Sequence, residues 1–272
     1  MDLKTRLAQA VDAVRSYPDS HERRLALIQY LCMSAKWEQA LKQIGQYRKL
    51  FPDMQKPLML YLIENIEAEM RRESVLTAKQ KPQTLEQHSS KLAVLQRQLS
   101  LAAHVFERET DVLAADYAAL SESVDGVPVK IAYFGADKEV SEVSGGWIID
   151  GDARTSFVYE FFYRGQYYWQ TWDAIESISF KAPDSLLDVI WRPCEITLVG
   201  GETMQCVSPA RYAVLPAEAE TEWSDSLLAC SQTRWQAVAD DLYVGFGQKM
   251  LYTDQADLGL LDIRSIHFEH NH

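Results

Sequence analysis

Cysteine and histidine are the side chains of this sequence that most readily bind metals, but their spacing does not form a known metal site. The cysteines are far apart and none belongs to a Cys-x-x-Cys pair, whereas zinc sites usually place two ligands within one turn of chain. We therefore expect reduced, semi-buried cysteines. His267, His270 and His272 crowd the C-terminus, and we interpret them as a frayed tail, because chain ends are seldom ordered. The cysteines are Cys32, Cys194, Cys206 and Cys230.

Two short motifs contain the acidic and glycine residues that calcium and nucleotide sites use. Asp150-Gly-Asp152 is followed by Arg154. A calcium loop needs further oxygen ligands at set positions, so we predict a turn with an internal Asp–Arg ion pair instead. Gly245-Phe-Gly247 has no third glycine three residues on, and a turn before a strand is favoured over a nucleotide-binding loop.

Motifs for catalysis are also missing from the sequence. It contains no Gly-x-x-x-x-Gly-Lys phosphate loop, no nucleophile elbow and no paired-histidine metalloprotease motif. No histidine is part of a recognisable motif with a serine, cysteine or carboxylate. The sequence therefore predicts no catalytic residue, no cofactor-binding residue and no metal ligand, and it indicates a protein that acts by binding other proteins.

The N-terminal half contains an internal repeat. Tyr-Pro-Asp at 17–19 recurs 34 residues later as Phe-Pro-Asp at 51–53, and this offset is the period of the tetratricopeptide helix pair. Between these segments the apolar residues follow the period of a helix, and each proline falls just after an apolar stripe ends, where it stops a helix. We predict antiparallel helices over residues 3–15, 22–34, 37–50 and 57–72.

Stacked helix pairs usually leave a concave groove that can hold a helix of a partner. The first helix of each pair lines that groove, so the sequence predicts a partner-binding strip formed by Gln29, Met33, Met59 and Ile63. Two methionines would give the strip an adaptable apolar surface. Two alternatives remain open: an all-helical domain without a groove function, and a strip covered by the protein's own helix from Leu85 onward.

The pattern changes twice along the rest of the chain. Polar residues interrupt the helical period at 77–84 and predict a loop, after which an amphipathic helix continues to about residue 120. From Val127 the period moves toward 2, and six of the seven tryptophans lie beyond residue 140. We therefore predict an α+β fold with two domains: a tetratricopeptide-like helical domain over 1–120, and an antiparallel, aromatic-rich and acidic α+β domain over 121–272.

Residues 194–208 give the clearest hairpin signal in the C-terminal half. A three-residue loop from Gly200 to Glu202 would place the apolar side chains of both strands on one face, and register follows the buried face. In that register Cys194 and Cys206 are diagonal neighbours on the same face. Their Cα atoms would be about 7–8 Å apart, which is too far for easy disulfide formation.

The charge distribution bears on the class of partner. The net charge is −12, and the excess acid lies in the second half: residues 1–119 carry +2 and residues 120–272 carry −14. An acidic half repels phosphate backbones, so nucleic acid is not an expected partner. The N-terminus lacks the apolar stretch of a secretory signal, and the longest uncharged apolar run, 58–63, is far shorter than the roughly 20 residues of a membrane helix. We expect a cytoplasmic protein without membrane insertion.

An ordered series of short motifs extends over about 120 residues of the C-terminal half. The motifs are DGDAR at 150–154, Glu160, YYW at 167–169, LDVIWRP at 187–193, PARY at 209–212, TRW at 233–235, GFGQ at 245–248 and LDIR at 261–264. This series resembles the ImpE family, also called TagJ or SciE, and the N-terminal helical repeats and the chain length fit the same family. Lys249 stands where the family usually has an arginine.

The resemblance implies a non-catalytic accessory component of a bacterial type VI secretion system. Members of the family bind the small subunit of the contractile sheath through a helix of that subunit, and they are linked to the ATPase that recycles contracted sheath. These two proteins are therefore the expected partners. The alternative is a hydrolase or small-ligand sensor in the C-terminal domain, with the helices as a docking arm. An enzyme or sensor would have a deep pocket lined by carboxylates with perturbed pKa values.

Overall fold

The computed structural model describes residues 2–135, 137, 139–215 and 223–270. Its N-terminal part is helical and its C-terminal part is dominated by antiparallel strands, which confirms the predicted α+β class. No helix of the described residues combines the length and the apolar character that crossing a membrane requires. The helices are α1 Leu3–Ser16, α2 His21–Met33, α3 Trp37–Leu50, α4 Lys56–Leu76, α5 Ser89–Glu107, α6 Thr110–Glu122 and α7 Asp225–Leu228.

The first four helices form where the sequence predicts them, and the described residues from 2 to 70 contain no strand. Tyr17 and Phe51, the equivalent positions of the repeat, are the C-caps of α1 and α3. Each donates its backbone N–H to the carbonyl four residues earlier, at 3.0 and 2.8 Å. The side chains of Asp2 and Ser20 cap the N-termini of α1 and α2. The connections between α1, α2, α3 and α4 are three to five residues long, a length that favours antiparallel neighbours.

The strands of the described residues form three antiparallel sheets. The largest has eight strands in the order β2-β1-β13-β6-β7-β8-β4-β5, a smaller one has the order β12-β11-β3, and β9 pairs with β10. The strands are β1 Val129–Phe134, β2 Val140–Gly145, β3 Ile148–Asp150, β4 Val158–Tyr163, β5 Gln166–Thr171, β6 Ile175–Phe180, β7 Trp191–Leu198, β8 Thr203–Pro209, β9 Thr233–Ala239, β10 Leu242–Gly247, β11 Met250–Thr253, β12 Asp257–Gly259 and β13 Ile263–Phe268.

The histidines near the C-terminus do not form a frayed tail. His267 lies in β13, which pairs with β1 on one side and β6 on the other. His270 follows directly, and its Nε2 is 2.7 Å from the carbonyl oxygen of Ile175. The interpretation as a loose end is therefore wrong for these two residues, because an internal strand of the sheet holds the segment. His272 lies outside the described residues.

The β7–β8 hairpin has the predicted face but a different register. Cys194 lies directly opposite Cys206 instead of diagonal to it, and their Sγ atoms are 3.7 Å apart. The loop starts one residue earlier than predicted, at Val199: the N–H of Gly201 donates to the carbonyl of Leu198 at 2.8 Å, and Gly201 has a φ of 80°. A turn followed by a left-handed glycine is a common three-residue hairpin. Both cysteines are buried and free, as predicted.

Both faces of the large sheet are buried where helices cover it. On β4, Val158 and Phe162 join α1–α4 in one hydrophobic core, whereas Tyr159 and Phe161 point into a second core formed within the C-terminal half. The strand is therefore buried at nearly every position instead of alternating between buried and exposed residues. Glu160 lies on the helix-facing side with Val158 and Phe162, because side chains two residues apart share a face.

The predicted loop at 77–84 follows α4 and lies along the edge of the large sheet. The N–H of Gln83 donates to the carbonyl of Tyr167 at 2.9 Å, and the N–H of Trp169 donates to the carbonyl of Gln83 at 2.9 Å. The loop thus supplies hydrogen-bond partners to β5, the last strand on this side of the sheet. Covering an edge strand in this way prevents it from pairing with another chain.

The helical segment after this loop is divided into two helices, α5 and α6, where the sequence predicts one. Arg108 ends α5 in the left-handed region with a φ of 61°, which reverses the chain direction. The last of the six consecutive helices ends at Glu122, and β1 begins at Val129. The division into domains 1–120 and 121–272 stays a prediction, because both parts contribute to one continuous hydrophobic core.

Candidate functional site

Arg72 is the centre of an ionic network buried between α4 and the large sheet. Its side chain is 1% exposed. Its Nε donates to one carboxylate oxygen of Glu160 at 2.9 Å, and its Nη2 donates to the other oxygen. Its Nη1 donates to the carbonyl of Arg211 at 2.9 Å and lies 3.5 Å from Glu69, one helical turn earlier. A paired contact of this kind between arginine and a carboxylate combines strength with a fixed geometry.

Glu160 also binds a second cation. The Nζ atom of Lys249 lies 2.5 Å from Glu160 and also contacts Asp150. Burial alone would raise the pKa of Glu160, but Arg72 and Lys249 outweigh burial and lower this pKa to about 2. Burial alone would lower the pKa of Lys249, and its two carboxylate neighbours raise it instead. Glu160 and Lys249 are therefore both charged at neutral pH.

Aromatic side chains complete the hydrogen bonds of the buried carboxylates. The hydroxyl of Tyr167 donates to Glu160 at 2.5 Å and accepts from Nε1 of Trp169 at 2.5 Å. Nε1 of Trp191 donates to Glu69 at 3.0 Å. Burial and the charge of Glu160 raise the pKa of Tyr167, so its phenol stays protonated and remains a donor.

The Asp-Gly-Asp-Ala-Arg motif forms a turn after β3 with the predicted internal ion pair. Arg154 donates to both oxygens of Asp152, from Nε at 2.9 Å and from Nη2 at 2.6 Å. Gly245 donates its N–H to Asp152 at 2.9 Å. It lies inside β10 and not in a turn before a strand, and a Cβ there would overlap the ring of Tyr212. The hydroxyl of Tyr212 in turn donates to Asp150 at 3.0 Å.

Arg211 connects the C-terminal half to the end of α2. Its Nη1 donates to the carbonyls of Met33, at 2.6 Å, and Leu228, at 2.8 Å. Met33 is the last residue of α2, where unpaired carbonyls and the helix dipole favour a cation. The rings of Trp37 and Trp191 stack beside this contact at 5.7 Å. The PARY and LDVIWRP motifs therefore meet at the contact between helices and sheet.

The chemistry of this network is mutual neutralisation. Its carboxylates are almost fully buried and accept hydrogen bonds from arginine, lysine, tyrosine or tryptophan. Among the residues that the structure describes, no group of three or more His, Cys, Asp or Glu side chains could hold a metal ion. An arrangement of this kind fixes α2 and α4 on the sheet, so the network positions the helical surface that a partner would meet.

The pH dependence of stability should reveal the charge of Glu160. A carboxyl group whose pKa is lowered on folding stabilises the folded state above its unfolded pKa, and this contribution is lost as the pH falls toward the folded value. For Glu160 the window runs from the usual 4.5 down to about 2. We expect the difference in unfolding free energy between the unmodified protein and Glu160→Gln to shrink as the pH falls through this window, measured by urea unfolding. A difference that stays constant with pH would contradict the assignment.

The predicted groove residues lie in two different environments. Met33 and Met59 are fully buried in the core that helices and sheet share, whereas Gln29 and Ile63 are partly exposed. The turn at 186–189 packs against α2, and β4 and β5 pack against α4. The C-terminal half therefore packs against both helices that carry the predicted strip, and α5 also packs against α4. Met33 is not accessible to a partner in this arrangement.

An open groove lies nearby, between the end of α3 and the start of α4. Its volume is about 700 Å³, and Met59 and Ile63 are among the residues that line it. Leu60 stands at its rim and is 57% exposed. The charged residues that line the groove are all basic: Arg48, Lys49 and Lys56. Of the four predicted residues, Ile63 is thus partly exposed in this groove and Met59 lies buried beneath it, and the groove is not the one that the helix-pair pattern indicates.

The charged residues of the network were not identified as a group from the sequence. Arg72 stood only at the end of a predicted helix, and Glu160 only within a family-like motif. The sequence offers one indication of the network: Arg72 is a charged residue on the same, largely apolar face of α4 as Leu62 and Glu69. It does not identify the partner, which lies 88 residues away along the chain.

Comparison with known proteins agrees with the motifs. Residues 142–267 match the family model described as "ImpE protein". The chain is 27% identical over 258 residues to the type VI secretion system accessory component TagJ of Pseudomonas aeruginosa, covering 95% of this chain and 84% of that protein.

The fold is also similar to a crystal structure of a Vibrio parahaemolyticus protein. The TM-score is 0.83 at 21% sequence identity, with 99% of this chain and 94% of that chain covered. This similarity supports the fold, and the similarity to the Pseudomonas protein supports an accessory role in type VI secretion. The segment that matches the ImpE family model, 142–267, contains β4, Arg211 and Lys249 of the buried network.

Proposed function

We propose that the protein is a non-catalytic adaptor of a type VI secretion system that binds a helix of the small sheath subunit in the α3–α4 groove. The observation that carries the proposal is the groove itself, which has an apolar floor, a basic rim and a volume of about 700 Å³. Amphipathic helices bind in grooves of this kind through apolar side chains spaced three and four residues apart. Met54 also lines the groove and is 37% exposed, and a methionine side chain can adapt to the shape of such a helix.

The charge of the groove indicates the charge that the partner helix should carry. Because Arg48, Lys49 and Lys56 line it and none of the described acidic residues does, an amphipathic helix with acidic flanks is the complementary ligand. Charges at the rim of an interface mainly raise the association rate and are screened by salt. Binding of the small sheath subunit should therefore weaken as the ionic strength rises.

The sheath-recycling ATPase is the second partner in this proposal, since the family resemblance implies it. Co-purification of the ATPase with the protein, with and without the small sheath subunit, distinguishes a direct contact from a contact made through the sheath. A hydrolase function has less support. The buried network offers paired and desolvated charges, and it presents no exposed nucleophile beside a base.

Leu60→Asp should weaken binding of the small sheath subunit by about 1–2 kcal/mol, because it places a charge at the apolar rim of the groove. Isothermal titration calorimetry with the purified subunit measures the change. Leu60 is 57% exposed, so the variant should keep its fold. Val112→Asp is the matched control, since Val112 is a 40% exposed apolar residue on α6 that does not line the groove.

The comparison of the two variants decides the location of the site. Equal affinities for Leu60→Asp and the unmodified protein, in a folded variant, would exclude the α3–α4 groove. The acidic surface of the C-terminal half would then be the next candidate for the contact.

A further inference from the structure

A second cavity lies in the C-terminal half, away from the α3–α4 groove. It opens between α6, the end of β3 and the β9–β10 hairpin, and its volume is about 320 Å³. This volume is at the small end of the range for ligand pockets, and it suits a side chain or a small molecule. Aromatic and acidic residues dominate its lining: Tyr117, Asp150, Trp235, Asp241, Tyr243 and Tyr252.

The aromatic walls are held in place by the backbone beneath them. The rings of Trp235 and Tyr252 lie 6.1 Å apart with an interplanar angle of 56°, and Tyr212 packs against Trp235 from the buried side at 5.6 Å. Gly151 lies directly below the two walls. A Cβ at this position would be 2.6 Å from Trp235 and would overlap Tyr252. The glycine of the Asp-Gly-Asp motif thus allows two rings to reach the floor of the cavity.

The two charged residues that line the cavity among those described are both acidic. Asp150 is part of the floor and is 1% exposed, and Asp241 lies in the exposed turn between β9 and β10. No Lys, Arg or His side chain of the described residues lines the cavity. Lys249 contacts Asp150 but is not part of the lining. Burial, together with the charge of Asp150, raises the pKa of Tyr117, so this phenol on the wall of the cavity stays protonated.

We propose that this cavity binds an alkylammonium cation. The faces of aromatic rings carry partial negative charge and attract cations within about 6 Å, and cages of several rings recognise quaternary ammonium groups and lysine side chains. The carboxylate of Asp241 adds attraction at the entrance, whereas Asp150 at the floor is already paired with Lys249. Neither the buried network nor the α3–α4 groove requires such a cavity. The ligand is either a free small ammonium compound or a lysine side chain of a protein.

Calorimetric titration of the full-length protein with choline tests the proposal. The paired probe is the neutral isostere of choline, in which carbon replaces the ammonium nitrogen, because it has the same shape without the charge. We expect saturable binding of choline and at least about tenfold weaker binding of the isostere, since the cation–π attraction is lost. Competition by N-acetyl-lysine methylamide would indicate a lysine side chain as the ligand, and its failure to compete would indicate a small ammonium compound.

Two variants of the same turn provide the structural control. Asp241→Asn removes the charge at the entrance, and asparagine tolerates the left-handed φ of 57° at this position. Asp240→Asn removes a neighbouring charge that does not line the cavity. We expect choline affinity to fall about threefold or more in the first variant and to stay unchanged in the second. Equal binding of choline and its isostere, equal effects of the two variants, or no saturable binding of choline would each overturn the proposal.

Discussion

Glu160→Gln should lower the free energy of unfolding by about 3–5 kcal/mol, because it removes the anion from a buried ion pair and leaves two cations without it. Arg72 donates to both oxygens of Glu160, and Lys249 contacts it as well. The amide of glutamine is similar in size, so packing changes little. Urea unfolding followed by tryptophan fluorescence at neutral pH measures the loss.

An exposed ion pair of the same sheet provides the control. Glu142 on β2 lies 3.2 Å from Lys130 on β1, and both side chains are more than half exposed. Glu142→Gln should cost less than about 1 kcal/mol, because water screens this pair. Equal losses for the two glutamine variants would show that the buried network contributes no more than a surface contact.

A double variant separates charge from packing. Arg72→Met alone should also destabilise the protein strongly, since it leaves Glu160 and Glu69 with one cation fewer. In Glu160→Gln combined with Arg72→Met, both members of the pair are neutral, and the loss should be smaller than the sum of the two single losses. Additive losses would mean that the two side chains do not interact in the folded protein.

The local elements could be predicted from the sequence because their causes are local. The 34-residue offset between the two Pro-Asp segments identified equivalent helix ends, which are the caps at Tyr17 and Phe51. Apolar spacing gave the helix faces. The β7–β8 hairpin had the right face but the wrong register, because two adjacent glycines allow several loops and only Gly201 takes the left-handed conformation at 80°.

The buried network could not be assembled from the sequence, because its partners are far apart along the chain. Arg72 and Glu160 are separated by 88 residues, Asp150 and Lys249 by 99, and Met33 and Arg211 by 178. The spacing of apolar residues predicts local elements, and it does not indicate which distant residues pair with one another. The family-like motifs indicated some of these residues, and the structure supplies their physical role: they hold the helices on the sheet.

The groove prediction shows how tertiary packing changes the meaning of a helical pattern. In an isolated stack of helix pairs, Met33 and Met59 would line an open concave face. Here the C-terminal half packs against α2 and α4, and Arg211 reaches the carbonyl of Met33. Met33 and Met59 are therefore buried inside the protein and do not line an open face. The accessible apolar surface lies at the α3–α4 groove instead, where Leu60 is exposed.

Met59→Asp is expected to destabilise the protein by at least about 3 kcal/mol, since it buries a carboxylate without a partner in an apolar core. Met59 is 1% exposed and packs in the core that helices and sheet share. Its neighbour Leu60 is 57% exposed, so Leu60→Asp should change stability by no more than about 0.5 kcal/mol. Urea unfolding of the two variants gives this contrast between adjacent residues of one helix.

The same pair of variants separates loss of binding from loss of folding. Met59→Asp should reduce binding of the small sheath subunit only to the extent that the protein unfolds, whereas Leu60→Asp should reduce binding while the fold persists. Met59→Leu conserves the volume of the side chain and should lower the free energy of unfolding by less than about 1.5 kcal/mol. Comparing it with Met59→Asp shows whether the charge or the shape of the new side chain causes the loss of stability. A stable, folded Met59→Asp variant with impaired binding would place Met59 on an open surface. The assignment of Met59 to the core shared by α4 and the sheet would then be wrong. The concave strip predicted from the helix pairs would be the binding site.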